Sequence, residues 1–236
     1  MIRPAVLTAF LTALLLTGCT RSLEYTYTPA VTRLAGADKA ARMSIGVAKF
    51  SDTRSWIDAK DDKGRSYIAQ QAAWRFGITH DGREFTPVDE LLQALFIRGL
   101  ANAGFRTRPL DSVASKATAP ALRDAGARAG TTFVLGGEIL VFEFVNEQGF
   151  WTITSRRAVT LALYLARIDD GQPIVDSTFT EAQREGEGMG VLHTTNVDKL
   201  MNGVLKTVIQ RVVAEVAQKL EVSAADVSVR LAVLMR

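Results

Sequence analysis

The chain has 236 residues, 47% hydrophobic and 22% charged, with a formal net charge of +3 at neutral pH. That length fits one large domain, or one domain with appendages, with ample apolar material for a core. Acidic and basic residues are interspersed without a block of one sign, which argues against a nucleic-acid partner. The single cysteine, Cys19, excludes a disulfide framework and a paired-cysteine metal site.

Met1-Ile2-Arg3 followed by the apolar run from Ala5 to Leu16 has the form of a secretory signal, a positive start and a hydrophobic stretch of about a dozen residues. A spanning helix needs roughly 20 apolar residues, and this run is broken by Thr17, Gly18 and Cys19. Leu16-Thr17-Gly18-Cys19 resembles the lipobox of bacterial lipoproteins, small residues ahead of a cysteine whose thiol takes a diacylglyceryl group before cleavage. The resemblance implies removal of residues 1–18 and lipid on Cys19, making this cysteine the one candidate site with assignable chemistry. Acyl chains add about 0.8 kcal/mol per buried CH₂, so two or three of them hold a protein stably at a bilayer. Thr20 follows the cysteine where lipoproteins of the inner membrane commonly carry Asp, which implies the periplasmic face of the outer membrane.

Residues 19–42 form the lipidated N-terminus and read either as a tether or as an extended arm packed on the domain. Leu23, Tyr25, Tyr27 and Val31 recur at spacings of two and four, and the two tyrosines favour partial docking. The folded domain is expected over 43–236. Met43, Ile45 and Val47 alternate up to Phe50 and predict the first strand, which Ser51-Asp52-Thr53-Arg54 ends. Ser55 to Phe85 reads as a long excursion with a hairpin turning at His80-Asp81-Gly82; loops of this length are usually functional or mobile. Thr86-Pro87-Val88-Asp89 predicts a helix start with Thr86 as cap, Pro87 in the first helical position and Asp89 closing a capping box. The apolar stripe Val88, Leu91, Leu92, Leu95, Phe96 and Leu100 carries that helix to Ala103, where Gly104 stops it.

A short strand follows over Phe105 to Arg108, then a short helix from Pro120 to Ala129 ended by Gly130. Thr132 to Val145 predicts a long, largely buried strand near the middle of the sheet. Phe150 to Ile168 and Ile174 to Glu181 predict an antiparallel pair turning at Asp169-Asp170-Gly171. Glu185 to Gly190 reads as a flexible connection to a second amphipathic helix, capped near Thr195 or Asn196 and running to Leu220. Its core face is Leu200, Val204, Leu205, Val208, Val212, Val213 and Val216. Val227 to Met235 alternates and suggests a terminal strand. The fold class that follows is α+β, a mixed, mostly antiparallel sheet with amphipathic helices packed on one side.

Catalytic material is scarce. His80 and His193 are the only histidines and both fall in predicted loops; no Gly-x-Ser-x-Gly elbow is present. Asp58, Asp61 and Asp62 read as a solvated turn rather than a calcium site, and Glu185 to Gly190 lacks the Lys-Ser/Thr ending of a phosphate loop. Glu138 and Glu143 are candidates for paired carboxylates, but five positions apart they face opposite sides of a regular strand and are better placed as partners of Arg156 or Arg157. Trp56, Tyr67, Trp74, Phe76 and Phe85 either mark a contact surface or close one end of the core. The expected catalytic, cofactor and metal sites are therefore none, and the protein is expected not to be an enzyme.

The pattern resembles the YajG-type family of outer-membrane lipoproteins. The residues that carry the resemblance are the lipobox through Cys19, the strand Ile45-Gly46-Val47-Ala48-Lys49-Phe50 with Ser51-Asp52-Thr53-Arg54, Thr86-Pro87 opening a helix that ends Ala103-Gly104-Phe105, and Val134-Leu135-Gly136-Gly137-Glu138-Ile139. A similar layout occurs in lipoproteins related to the curli secretion channel, in LpoB activators and in lipoprotein auxiliaries of ABC transporters. The resemblance implies a non-enzymatic binding or scaffold module of the cell envelope, anchored to membrane through Cys19 and meeting an envelope protein partner. A subunit of a transport or secretion assembly, with the chain as a homo-oligomer, is the alternative it leaves open.

Overall fold

The computed structural model describes residues 20–25, 31, 33–57, 62–71, 74–114, 119–148, 152–188 and 194–222. The signal, Cys19, Asp58, Asp61, His193 and the strand expected at Val227 to Met235 lie outside them. Among the described residues the architecture is α+β. A large sheet has the order β5-β2-β6-β7-β8, from β2 (Ser44–Asp52), β5 (Arg106–Ala114), β6 (Phe133–Gln148), β7 (Thr152–Arg167) and β8 (Pro173–Gly188). β2 runs parallel to β5 and β6, and β6, β7 and β8 are antiparallel. A small sheet has the order β1-β4-β3, from β1 (Thr20–Tyr25), β3 (Tyr67–Gln71) and β4 (Trp74–His80). The helices are α1 (Ala37–Ala40), α2 (Asp62–Ser66), α3 (Val88–Ala103), α4 (Ala119–Arg128) and α5 (Thr194–Lys219). No helix among the described residues is long and apolar enough to cross a membrane.

The stripes of α3 and α5 set the main core. Leu91, Leu92, Leu95, Phe96 and Leu100 of α3, with Val204, Leu205, Val208, Ile209, Val212, Val213 and Val216 of α5, are buried against Ile45, Val47, Leu135, Ile139 and Leu161 on one face of the large sheet. Phe96 stacks on Phe50 at 5.3 Å between ring centres. The short α4 lies on the opposite face, where Leu122 joins Ala48, Leu110, Val134 and Ala166 in a second, smaller core. Topology accounts for the split. The chain steps from β2 outward to β5 and then back past β2 to β6, so two right-handed crossovers place α3 and α4 on opposite faces. β2, flanked on both edges and covered on both faces, is accordingly apolar without strict alternation.

Several local expectations are corrected. Thr86 does not cap α3: its hydroxyl donates to the Arg83 carbonyl at 2.7 Å, and Pro87 precedes the helix without a side-chain cap. The other end follows the sequence, with Gly104 at φ +112° and the Phe105 N–H reaching the Leu100 carbonyl at 3.1 Å, a left-handed termination. Among its described residues the excursion holds two reversals of the chain. Its longer hairpin pairs β3 with β4 and turns between Gln71 and Trp74. Asp81-Gly82 makes a separate two-residue turn with both φ positive, closed by the His80–Arg83 bridge. Glu185 to Gly188 belongs to β8 rather than to a connecting loop. Of the two readings of the N-terminus, residues 20–25 follow the extended arm, since β1 pairs with β4 along its whole length.

Gln93, which the stripe of α3 did not single out, stitches an irregular rung. β2 and β5 shift register between Ala48 and Lys49, and the residue opposite Val47 is Pro109, which has no N–H to offer. The Gln93 amide donates to the Val47 and Leu110 carbonyls at 2.8 and 3.0 Å.

Candidate functional site

Two buried ion pairs gather where the small sheet meets the large one. Asp52 ends β2 and Arg54 follows two residues later, and their side chains are 2% and 1% exposed. The Arg54 guanidinium donates through Nε and Nη2 to the two carboxylate oxygens of Asp52 at 2.8 and 2.5 Å. It also donates to the carbonyls of Tyr67 (2.7 Å), Phe142 (3.2 Å) and Arg65 (3.0 Å). One side chain thus ties together β2, α2, β3 and β6. Outside it, the half-exposed Trp56 lies with its ring 5.3 Å from the guanidinium carbon.

A second pair extends the cluster. Arg65 of α2 donates to Asp89 of α3 at 2.6 Å, and the Asp89 side chain is 1% exposed. Burial pushes the Asp89 carboxyl above its ordinary value of 3.8, and the Arg65 charge only partly offsets that. The neighbouring Glu90 moves the other way. Burial opposes its charge, but hydrogen bonds from Lys49 (3.1 Å) and Arg83 (2.6 Å) outweigh the burial and hold it below 4.5. The sequence reading assigned Asp89 to a capping box; the structure makes it half of a buried ion pair. The available signal was its position, since Asp89 precedes Leu92 by three and Phe96 by seven and so falls on the apolar stripe.

The other candidates are not brought together. His80, at the end of β4, is buried rather than in an exposed loop. Its Nε2 lies 3.6 Å from Asp81, which Arg98 also holds, and its Nδ1 lies 3.5 Å from the Tyr25 carbonyl. The ring tilts against Tyr25 at 5.9 Å. These contacts pin the end of β1 to β4 and supply no hydroxyl or thiol to be activated. Glu138 and Glu143 share a face after all. The register of β6 on β7 shifts between Ile139 and Val141, so the extra residue, Leu140, reverses the alternation. They remain about four rungs, or roughly 13 Å, apart, beyond the span of a glycosidase pair. Glu143 is paired with Arg156 at 2.7 Å, as its sequence position suggested. Arg157 is buried with its guanidinium 3.4 Å from the centre of the Phe144 ring.

Most aromatic residues of the excursion close the core. Tyr67 is buried and meets Phe85 edge-on at 6.1 Å, and Phe76 meets Phe144 at 5.3 Å. Trp56 is exposed, and the side chain of Trp74 lies outside those described. Asp62 opens α2, and no three His, Cys, Asp or Glu side chains among the described residues lie close enough to hold a metal ion. The arrangement fixes one sheet on another.

No family model matches the chain, and no curated protein does. Among solved structures it is similar to a Xanthomonas campestris protein of the DUF330 family, at 14% identity over 85% of this chain and 94% of that one, with a TM-score of 0.49. It is similar to lipoprotein GNA1162 of Neisseria meningitidis, at 14% identity over 75% and 99% of the two chains and a TM-score of 0.38. It is also similar to the PelC dodecamer of Paraburkholderia phytofirmans, at 13% identity over 83% and 93%, with a TM-score of 0.33. Likeness at this level transfers no residue role, partner or assembly to this chain.

Proposed function

We propose that this chain is a lipoprotein of the bacterial envelope, held to a membrane by lipid on Cys19, whose α+β domain serves a protein partner as a non-enzymatic binding or scaffold module. One observation carries the reading: the only cysteine in the chain closes a lipobox-like motif directly behind a signal-like apolar run. Mass spectrometry of the N-terminal peptide tests it. The expected result is cleavage before Cys19 with acyl and glyceryl mass on that residue, and a Cys19→Ser chain that leaves the membrane fraction. A fully processed Cys19→Ser chain that still fractionates with membranes overturns the reading. Thr20 directs the lipoprotein to the outer membrane on this proposal, and Thr20→Asp is expected to move it to the inner-membrane fraction of a density gradient.

A second reading, a subunit of a transport or secretion assembly, draws support from the sheet edges. Among the described residues no strand pairs with the outer edges of β5 and β8, and β8 is 16 residues long. Light scattering on the full-length lipoprotein in detergent separates the two: a monomer supports an adaptor, and a defined ring supports the assembly subunit.

A further inference from the structure

β1 begins at Thr20, one residue after Cys19, and is in register with β4 from its first position. Thr20 stands opposite Arg75, and Arg21 opposite Phe76, in a parallel ladder. β4 folds back on β3 with Gln71 opposite Trp74 at the turning end. Neighbouring strands lie about 4.8 Å apart, so the backbones of Thr20 and Arg75 are side by side, and one peptide bond joins Thr20 to the residue that would carry the lipid. A bilayer about 40–45 Å thick with a hydrocarbon core of about 30 Å leaves roughly 5–8 Å of headgroup on each side. Acyl chains attached through Cys19 fill the hydrocarbon, which holds the cysteine backbone at headgroup depth. The parallel register sets the start of β4 level with the start of β1, and so beside the headgroups rather than a tether's length away from them.

We propose that the tip of the β3–β4 hairpin, Trp74 with Arg75, is a membrane-docking element seated against the phospholipid headgroups of the bilayer that holds the Cys19 lipid. The inference rests on the lipid-anchor reading above. Its residue types suit the place: tryptophan concentrates at the boundary between hydrocarbon and water, and arginine reaches lipid phosphate while its stem stays apolar. Charge is distributed accordingly. Residues 19–23 and 70–75 contain Arg21 and Arg75 and no acid, and the one acid of β1, Glu24, stands opposite Thr79 away from the tip.

The docking also orients the domain. Arg54 bridges Tyr67, opposite Gly77, to Phe142, whereas Phe76, one residue nearer the tip, meets Phe144. Moving toward the tip is moving toward the Gln148 end of β6, so the far end of the sheet, with Asp169-Asp170-Gly171, points away from the bilayer. Glu185 and Glu187 of β8 lie at the membrane end, with Glu147 paired to Arg184 at 3.3 Å. A zwitterionic surface therefore suits this end of the domain better than a strongly anionic one.

The test uses the full-length lipoprotein with Trp74 as its only tryptophan (Trp56→Phe and Trp151→Phe), reconstituted in phosphatidylcholine and phosphatidylethanolamine vesicles. With brominated acyl chains, Trp74 emission is expected to fall by about twofold or more and to lie at shorter wavelength, as for an interfacial tryptophan. A chain retaining only Trp56 is expected to show neither change. If the lipoprotein floats with vesicles, carries lipid on Cys19 by mass, and still leaves Trp74 unquenched and open to acrylamide, the docking is refuted and the anchor stands. Blue-shifted emission without lipid quenching assigns the tip to a contact between copies and equally refutes it. If Cys19 carries no lipid and the chain does not float, both readings fall.

Discussion

Replacing Arg54 with Met keeps an unbranched apolar stem and removes the charge and all the donors. The wild-type guanidinium and the Asp52 carboxylate are 1% and 2% exposed, so the substitution leaves a buried carboxylate without its partner. Breaking a buried pair in this way costs about 3–5 kcal/mol. The carbonyls of Tyr67, Phe142 and Arg65 lose a donor as well. Water entering the gap re-satisfies some of them, so the total stays near 5 kcal/mol rather than the sum of full penalties. At roughly 2–4 °C per kcal/mol for a domain of this size, the melting temperature falls by about 10–20 °C. Urea unfolding of the Cys19→Ser chain, followed by circular dichroism at pH 7, measures the difference. The double variant Asp52→Leu, Arg54→Met buries no unpaired charge and is expected to recover about 2–3 kcal/mol relative to Arg54→Met. A loss below about 1 kcal/mol for Arg54→Met, or a double variant equal to the sum of the singles, refutes the assignment of the pair as one structural unit.

Asp89→Asn tests the sign of a pH effect. Because burial raises the folded carboxyl above 3.8, the folded state holds this proton over a range in which the unfolded chain has lost it. That contribution is present at low pH and is lost as pH rises through the folded value, so Asp89→Asn should gain on the wild type in urea midpoints taken from about pH 3.5 upward. An unchanged difference across that range removes the argument. Glu90→Gln should show the opposite trend: its lowered value stabilises above 4.5 and is lost on acidification, so the variant's deficit should shrink as pH falls. Gly137→Ala places a Cβ 2.1 Å from the Ala162 carbonyl oxygen in the β6–β7 ladder and should cost about 3 kcal/mol or more. Gly130→Ala, at φ +65° with open space around it, should cost only about 1 kcal/mol, and equal costs in thermal melts would contradict the geometry. Gln93→Leu strands the Val47 and Leu110 carbonyls and should lower stability by about 2 kcal/mol, read from the urea midpoint at constant slope.

The large elements were legible because each carries a periodic signal long enough to outvote local exceptions. α3 and α5 declare their stripes over four turns or more, and β7 and β8 alternate around an Asp-Gly turn whose glycine sits at φ +68°. The excursion was not legible. β3 and β4 are five and seven residues long, and β1, which pairs with β4, lies on the far side of β2 in the sequence. A small sheet assembled from segments so far apart leaves no local period to read. Asp52 and Arg54 were visible only as polar residues closing a strand. Their burial depends on β3 and β6 folding over them, which no window on the sequence contains. The misjudged faces of Glu138 and Glu143 have the same origin, since one bulged residue at Leu140 reverses every later position on β6.

The small sheet changes what a lipid on Cys19 would mean mechanically. A flexible tether of n residues allows an end-to-end separation of about 5–6 Å × √n, so the whole of 19–42 as free coil would let the domain roam roughly 25 Å from the bilayer. Pairing Thr20–Tyr25 with β4 removes that freedom at its origin. β4 is in turn fixed to the main core by Phe76 on Phe144 and, through β3, by the Arg54 cluster. On the lipid-anchor proposal, anchor and domain would then turn as one body, and a partner-binding surface would keep a fixed distance from the membrane that carries the lipid. A partner in that same membrane fits this geometry; one that must be reached across the periplasm does not. Inserting a flexible Gly-Ser spacer between Cys19 and Thr20 separates these cases. Membrane attachment should survive the insertion, while capture of a partner in the same membrane should weaken with spacer length, and capture that is unaffected or improved would refute the rigid-mount argument.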